Sequence, residues 1–143
     1  MTVRLVDTNF LLSVASTLFV LACGACATSP SLVGPLAAGD WGGDHVLVSV
    51  SSVSAVSFEF DCAHGSTDAP IAIDAQGHFR APGVLVTEGG PVREPPDAGS
   101  PVVYEGERHG QRLDFTLTRA GESQPIGDFS AVLGASPRLF KCL

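Results

Sequence analysis

The sequence predicts an all-β domain, a small antiparallel up-and-down β-barrel of about eight strands or else a sandwich, preceded by a signal-peptide helix. Three observations carry this expectation. Apolar and polar residues alternate with period two through several short runs, the pattern of half-buried strands. Turn formers are abundant, with 16 Gly and 10 Pro in 143 residues, while charged residues make up only 16%. Val, Ser and Thr are common, and no convincing helical periodicity follows the leader.

The leader comes first. Residues 10–26 read FLLSVASTLFVLACGAC. The apolar run is shorter than the roughly 20 residues of a membrane span and suits the h-region of a secretory signal peptide. Its n-region is weak, since Asp7 offsets Arg4. A buried N-terminal helix is the alternative, but small and polar residues follow where a domain should begin.

Two cleavage sites compete. Val20-Leu21-Ala22-Cys23 resembles the lipobox of bacterial lipoproteins. That resemblance implies a signal peptide over residues 1–22 and a lipid on Cys23, which would hold the protein to its membrane. With Gly24 rather than Asp next, it implies the outer membrane of a Gram-negative envelope. The rival is Ala25-Cys26-Ala27, an A-x-A site whose cleavage would free a soluble domain. Residues 23–39 are small, Pro-containing and uncharged, so they read as a flexible tether. The barrel domain is expected over residues 40–143.

Strand one is expected over residues 45–50 and strand two over 53–62. In the second, Val56, Phe58 and Phe60 share one face, with Ser57, Glu59 and Asp61 on the other. Ile71 and Ile73 mark a short third strand. Asp74-Ala75-Gln76-Gly77 is a turn, and strand four covers 78–87, with Pro82-Gly83 expected to bend or bulge it. Residues 89–101 (GGPVREPPDAGSP) are Pro-rich and cannot be a central strand. Residues 102–109 and 112–119 read as a hairpin around His109-Gly110, with Leu113, Phe115 and Leu117 facing inward. Residues 126–133 and 137–142 complete the set as strands seven and eight.

Cysteine usage fits the leader. Beyond it stand Cys62 and Cys142, and an oxidising compartment favours a bridge between them over two buried thiols. That bridge would tie the second strand to the chain's last residues. The net charge of −7 makes nucleic acid a poor partner, because nothing would neutralise phosphates. It also makes anionic lipid heads a poor partner, so membrane contact is expected through the lipid anchor alone.

Candidate site residues are few. Trp41-Gly42-Gly43-Asp44-His45 opens the domain, and Trp41 and His45 are candidates for a binding surface; the competing reading has Trp41 plugging a barrel end. Cys62 and His64 could form a thiol–base pair, although an oxidised Cys62 would leave His64 simply exposed at a turn. The four histidines show no zinc-ligand spacing. Glu105 and Glu107 share a strand face, where solubilising roles are the default. His64 joins the candidate surface, as do Arg93 and Glu94 because long loops on rigid scaffolds often carry function. No catalytic residue, metal or cofactor is expected.

The segments Trp41-Gly42-Gly43, Phe60-Asp61-Cys62-Ala63-His64-Gly65, Gly89-Gly90-Pro91-Val92 and Leu139-Phe140-Lys141-Cys142-Leu143 resemble an uncharacterised family of small exported bacterial (lipo)proteins. The plan is also similar, more distantly, to periplasmic lipoprotein barrels that inhibit lysozyme or proteases. The expectation is a non-enzymatic, envelope-anchored β-barrel module that binds a small ligand or a protein partner. The alternative is a periplasmic inhibitor of a secreted hydrolase.

Overall fold

The computed structural model describes residues 33–51, 54–89 and 98–142. The leader with Cys23 and the loop residues Arg93 and Glu94 lie outside these. Ten strands are present: β1 (Gly34–Pro35), β2 (Gly39–Gly43), β3 (Val46–Val50), β4 (Ser57–Phe60), β5 (Ala63–Thr67), β6 (Ala72–Ile73), β7 (His78–Thr87), β8 (Ser100–His109), β9 (Arg112–Arg119) and β10 (Pro125–Leu133). Eight of them close a barrel in the order β10-β2-β3-β4-β5-β7-β8-β9, every neighbour antiparallel. Pairing of Ala131 with Gly43 and Leu133 with Trp41 shuts the seam. The fold is therefore a barrel rather than a sandwich, and closure leaves none of the eight barrel strands as a free edge to recruit another chain.

Period-two patterning builds the interior. Val46, Val48 and Val50 of β3, Phe58 and Phe60 of β4, and Leu113, Phe115 and Leu117 of β9 all point inward and are buried. Aromatic rings fill the middle. Phe58 stacks on Tyr104 at 4.0 Å between centroids, Phe115 meets Phe58 at 5.6 Å, and Phe129 bridges Phe60 and Phe115 at 4.7 and 5.4 Å. The Tyr104 hydroxyl donates to the Val84 carbonyl at 3.0 Å, so the buried phenol keeps a partner. Burial holds its pKa well above the ordinary tyrosine value.

Eight barrel strands were expected and eight are found, but they are not the same eight. The spacing expectation missed β2 and β5 and gave a strand to residues 137–142. Segment β2 reads GDWGG, which looks like a turn. It is a strand through its pairing with β3 and β10; a Cβ at Gly42 would strike the backbone of Ala135 and Pro137, and one at Gly43 the Ser130 carbonyl. Glycine is needed there for close approach of neighbouring backbone. Segment β5 reads AHGST, with no large apolar residue to mark an inner face. The expected second strand is correspondingly shorter, and Asp61-Cys62 form the turn into β5.

The tail is not a ladder strand because β10 and β2 already close the barrel; it makes one isolated bridge, Arg138 with Asp44. The third expected strand exists as β6 but lies outside the barrel, paired with β1. The expected tether is also corrected. From Gly34 onward it belongs to the fold: Leu36 is buried, its N–H donates to the Ile71 carbonyl at 2.9 Å, and Ala37 accepts from the Trp41 indole. Pro82-Gly83 makes no bulge, since β7 holds one register against β8 from His78 to Leu85. Gly83 instead lets β5 cross closely, where a Cβ would overlap the Ser66 carbonyl.

Candidate functional site

Hairpin geometry gathers the chemistry-bearing residues at one end of the barrel. The β2–β3 turn (Asp44-His45), the β4–β5 turn (Asp61-Cys62) and the exit of β7 (Glu88) all lie there, because antiparallel strands hand over at alternating ends. The tail, residues 137–142, is laid across them as a strap. Arg138 donates its N–H to the Gly43 carbonyl at 2.9 Å and accepts from His45 N–H at 2.8 Å. Its guanidinium clamps the Asp44 carboxylate with two bonds of 2.6 and 2.8 Å.

Further along, the Phe140 N–H donates to the Asp61 carboxylate at 2.8 Å, and Cys142 N–H donates to the Asp61 carbonyl at 3.1 Å. Lys141 reaches Glu59 at 2.7 Å, the Phe60 carbonyl at 3.0 Å and Glu88 at 3.1 Å. The Cys62–Cys142 disulfide locks the strap, with Cα atoms 5.0 Å apart and a sequence separation of 80.

Two histidines complete the end. His45 Nδ1 contacts the Asp61 carboxylate at 2.5 Å, and His64 Nδ1 contacts Glu88 at 2.8 Å. His45 adopts φ 67°, the only positive value at a non-glycine residue among the described residues. Its ring sits 5.8 Å from that of Phe140, which is 69% exposed.

The ion pairs set the local electrostatics. The Phe140 amide, followed by His45, holds the Asp61 carboxyl below the ordinary aspartate range. His64, then Lys141, does the same to Glu88, and the Arg138 guanidinium does it to Asp44. Hydrogen bonding to Glu59 raises Lys141. All of these groups are solvated, so each pair is worth little alone. Their effect here is to fix the path of the strap.

Of the residues expected to form a binding surface, His45 and His64 lie at this end and are exposed. Trp41 is corrected: it is fully buried, its indole bound to Ala37 and the Arg108 guanidinium 5.7 Å from its ring. It belongs to the core and can touch no partner. Cys62 has no thiol to offer a base, because its sulfur is in the disulfide. Among the described residues no group of three or more His, Cys, Asp or Glu side chains is placed to hold a metal ion.

Glu105 and Glu107 do share the outer face. Arg80 takes the first at 2.5 Å, while His78 and His109 take the second, each at 3.0 Å. They line a shallow groove of about 490 Å³ with Asp114, Asp128 and the edge of Phe115. The strap residues Arg138, Phe140 and Lys141 were not anticipated individually. Their signal was the bridge itself: pairing Cys142 with Cys62 places residues 138–141 beside the turns next to Cys62.

No protein-family model matches the chain, and neither a curated protein nor a solved structure does.

Proposed function

We propose that the chain is an exported, envelope-anchored, non-enzymatic module that binds its partner on its outer surface. The filled interior carries this reading. Rings of Phe58, Phe60, Tyr104, Phe115 and Phe129 pack across the barrel with neighbouring centroids 4.0 to 6.5 Å apart, which takes the room a lumenal ligand would need. Export is supported by the leader and by a disulfide of the kind that persists in oxidising compartments. Anchoring rests on the lipobox resemblance at Cys23, and kinship with small exported bacterial proteins rests on the motifs quoted above.

Intact-mass analysis of the protein extracted from membranes tests the address. The expected species starts at a lipid-bearing Cys23 and is two hydrogens lighter than the dithiol. A chain starting at Thr28 would remove the anchor, and an uncut chain in the cytoplasm would remove export. Inhibition of secreted hydrolases is the narrower reading, favoured by the rigid, exposed strap. Titration against purified lysozymes and proteases checks it, and full hydrolase activity at stoichiometric excess would end it.

A further inference from the structure

We infer that Phe140 anchors a docking surface for a partner protein that offers an apolar socket with a basic rim. This rests on the reading that the module binds through its outer surface. A single exposed apolar side chain is ordinary. Phe140 differs in how it is held. Its N–H is fixed on Asp61, Arg138 two residues earlier is clamped to Asp44, and Cys142 two residues later is bridged to Cys62. The side chain is nevertheless 69% exposed. A rigid backbone pays little ordering entropy when the aromatic is buried by a partner.

The neighbouring His45 lies against the exposed ring. It occupies the left-handed region at φ 67° and stands against Phe140, with ring centroids 5.8 Å apart. The two-residue β2–β3 hairpin turn, Asp44-His45, calls for that positive φ and sets the imidazole beside the Phe140 ring.

Charge selects the partner. Carboxylates of Asp44, Glu59, Asp61 and Glu88 surround the strap, against the cations of Arg138 and Lys141. The excess is negative, in a chain whose net charge is −7. A rim of Lys and Arg around the socket complements it, whereas nucleic acid or an anionic lipid surface would be repelled.

The test expresses the full chain with the photo-crosslinking residue p-benzoylphenylalanine at position 140. The control carries it at position 111, in the turn at the opposite end of the barrel. The expected result is one protein adduct from position 140, absent from position 111 and lost in Cys142→Ser, which frees the strap without opening the barrel. The captured protein, identified and purified, should be basic. It should bind the unmodified chain with Kd at least about 30-fold lower than it binds Phe140→Ala, as for a hot-spot aromatic, and more weakly as salt rises.

An adduct that persists in Cys142→Ser, an acidic partner, or equal affinity for Phe140→Ala would overturn the inference. Adducts from position 111 alone would overturn it while leaving the outer-surface reading in place. No adduct from either position would overturn the inference and leave the outer-surface reading standing, since the groove beside Glu105 and Glu107 lies at neither position.

Discussion

Gly65 leaves open the space that the Tyr104 hydroxyl occupies: a Cβ at position 65 would overlap that oxygen and crowd the Val84 carbonyl it bonds. One absent methyl on β5 thus sets the position of a tight ring stack in the core, Tyr104 on Phe58 at 4.0 Å. Gly65→Ala should destabilise the barrel by about 1–3 kcal/mol through overpacking. Tyr104→Phe alone should cost about 1 kcal/mol for the lost hydrogen bond. In the double variant the two losses should be less than additive, because removing the hydroxyl relieves half of the clash. Urea unfolding of the four proteins measures this coupling, and strict additivity would separate the two residues.

The same pair shows what the sequence could and could not reveal. Strands β4 and β9 were legible because Phe58, Phe60, Leu113, Phe115 and Leu117 alternate with polar residues, and alternation is a local property. Strand β5 was not legible, because its inner positions hold Gly65 and Thr67 rather than large apolar groups. The reason lies across the barrel in Tyr104, beyond the reach of any local pattern. Trp41 reads either as a surface residue or as a barrel-end plug for a related reason: GDWGG has turn composition, and only its pairing with β3 and β10 makes it a strand. At the candidate site the Cys62–Cys142 bridge was legible from cysteine arithmetic. The strap's ion pairs were not, since they join residues 53 to 94 positions apart.

The bridge is expected to stabilise the native state chiefly by restricting the unfolded chain. With the cysteines 80 positions apart, Cys142→Ser should cost about 4 kcal/mol. The eight-strand ladder does not include the tail, so far-ultraviolet circular dichroism at low temperature should keep its β signature while the urea midpoint falls. Complete loss of that signature at low temperature would mean that the strap is part of the barrel's cooperative core.

Trp41 is the chain's single tryptophan and reports on the interior directly. Its indole is fully buried, with the Arg108 guanidinium at 5.7 Å. Native fluorescence should be blue-shifted and nearly insensitive to iodide, becoming red-shifted and quenchable on unfolding. Arg108→Ala should cost about 0.5–2 kcal/mol from the cation–π contact and leave the emission maximum almost unchanged. Strong iodide quenching of the native protein would place Trp41 at the surface.

Acid should loosen the strapped end before it loosens the barrel. Hydrogen bonds and cations hold Asp44, Asp61 and Glu88 below their ordinary carboxylate values. A carboxyl whose folded pKa lies below its unfolded one contributes stability that is fully present above the unfolded value. That contribution is lost as pH falls through the folded value. The window therefore opens near pH 4, the ordinary carboxylate range, and extends downward. Amide hydrogen exchange should show faster exchange at Phe140 and Cys142 below that window, while amides of β8 and β9 stay protected. Asp61→Asn isolates the central group. Its amide oxygen can still accept from the Phe140 N–H, but it carries no charge to titrate and no anion for His45. The variant should lower the urea midpoint at pH 7 and flatten the fall of that midpoint between about pH 4 and pH 2. An unchanged slope in Asp61→Asn would assign the acid sensitivity to Asp44 and Glu88, and Asp44→Asn with Glu88→Gln would then have to remove it.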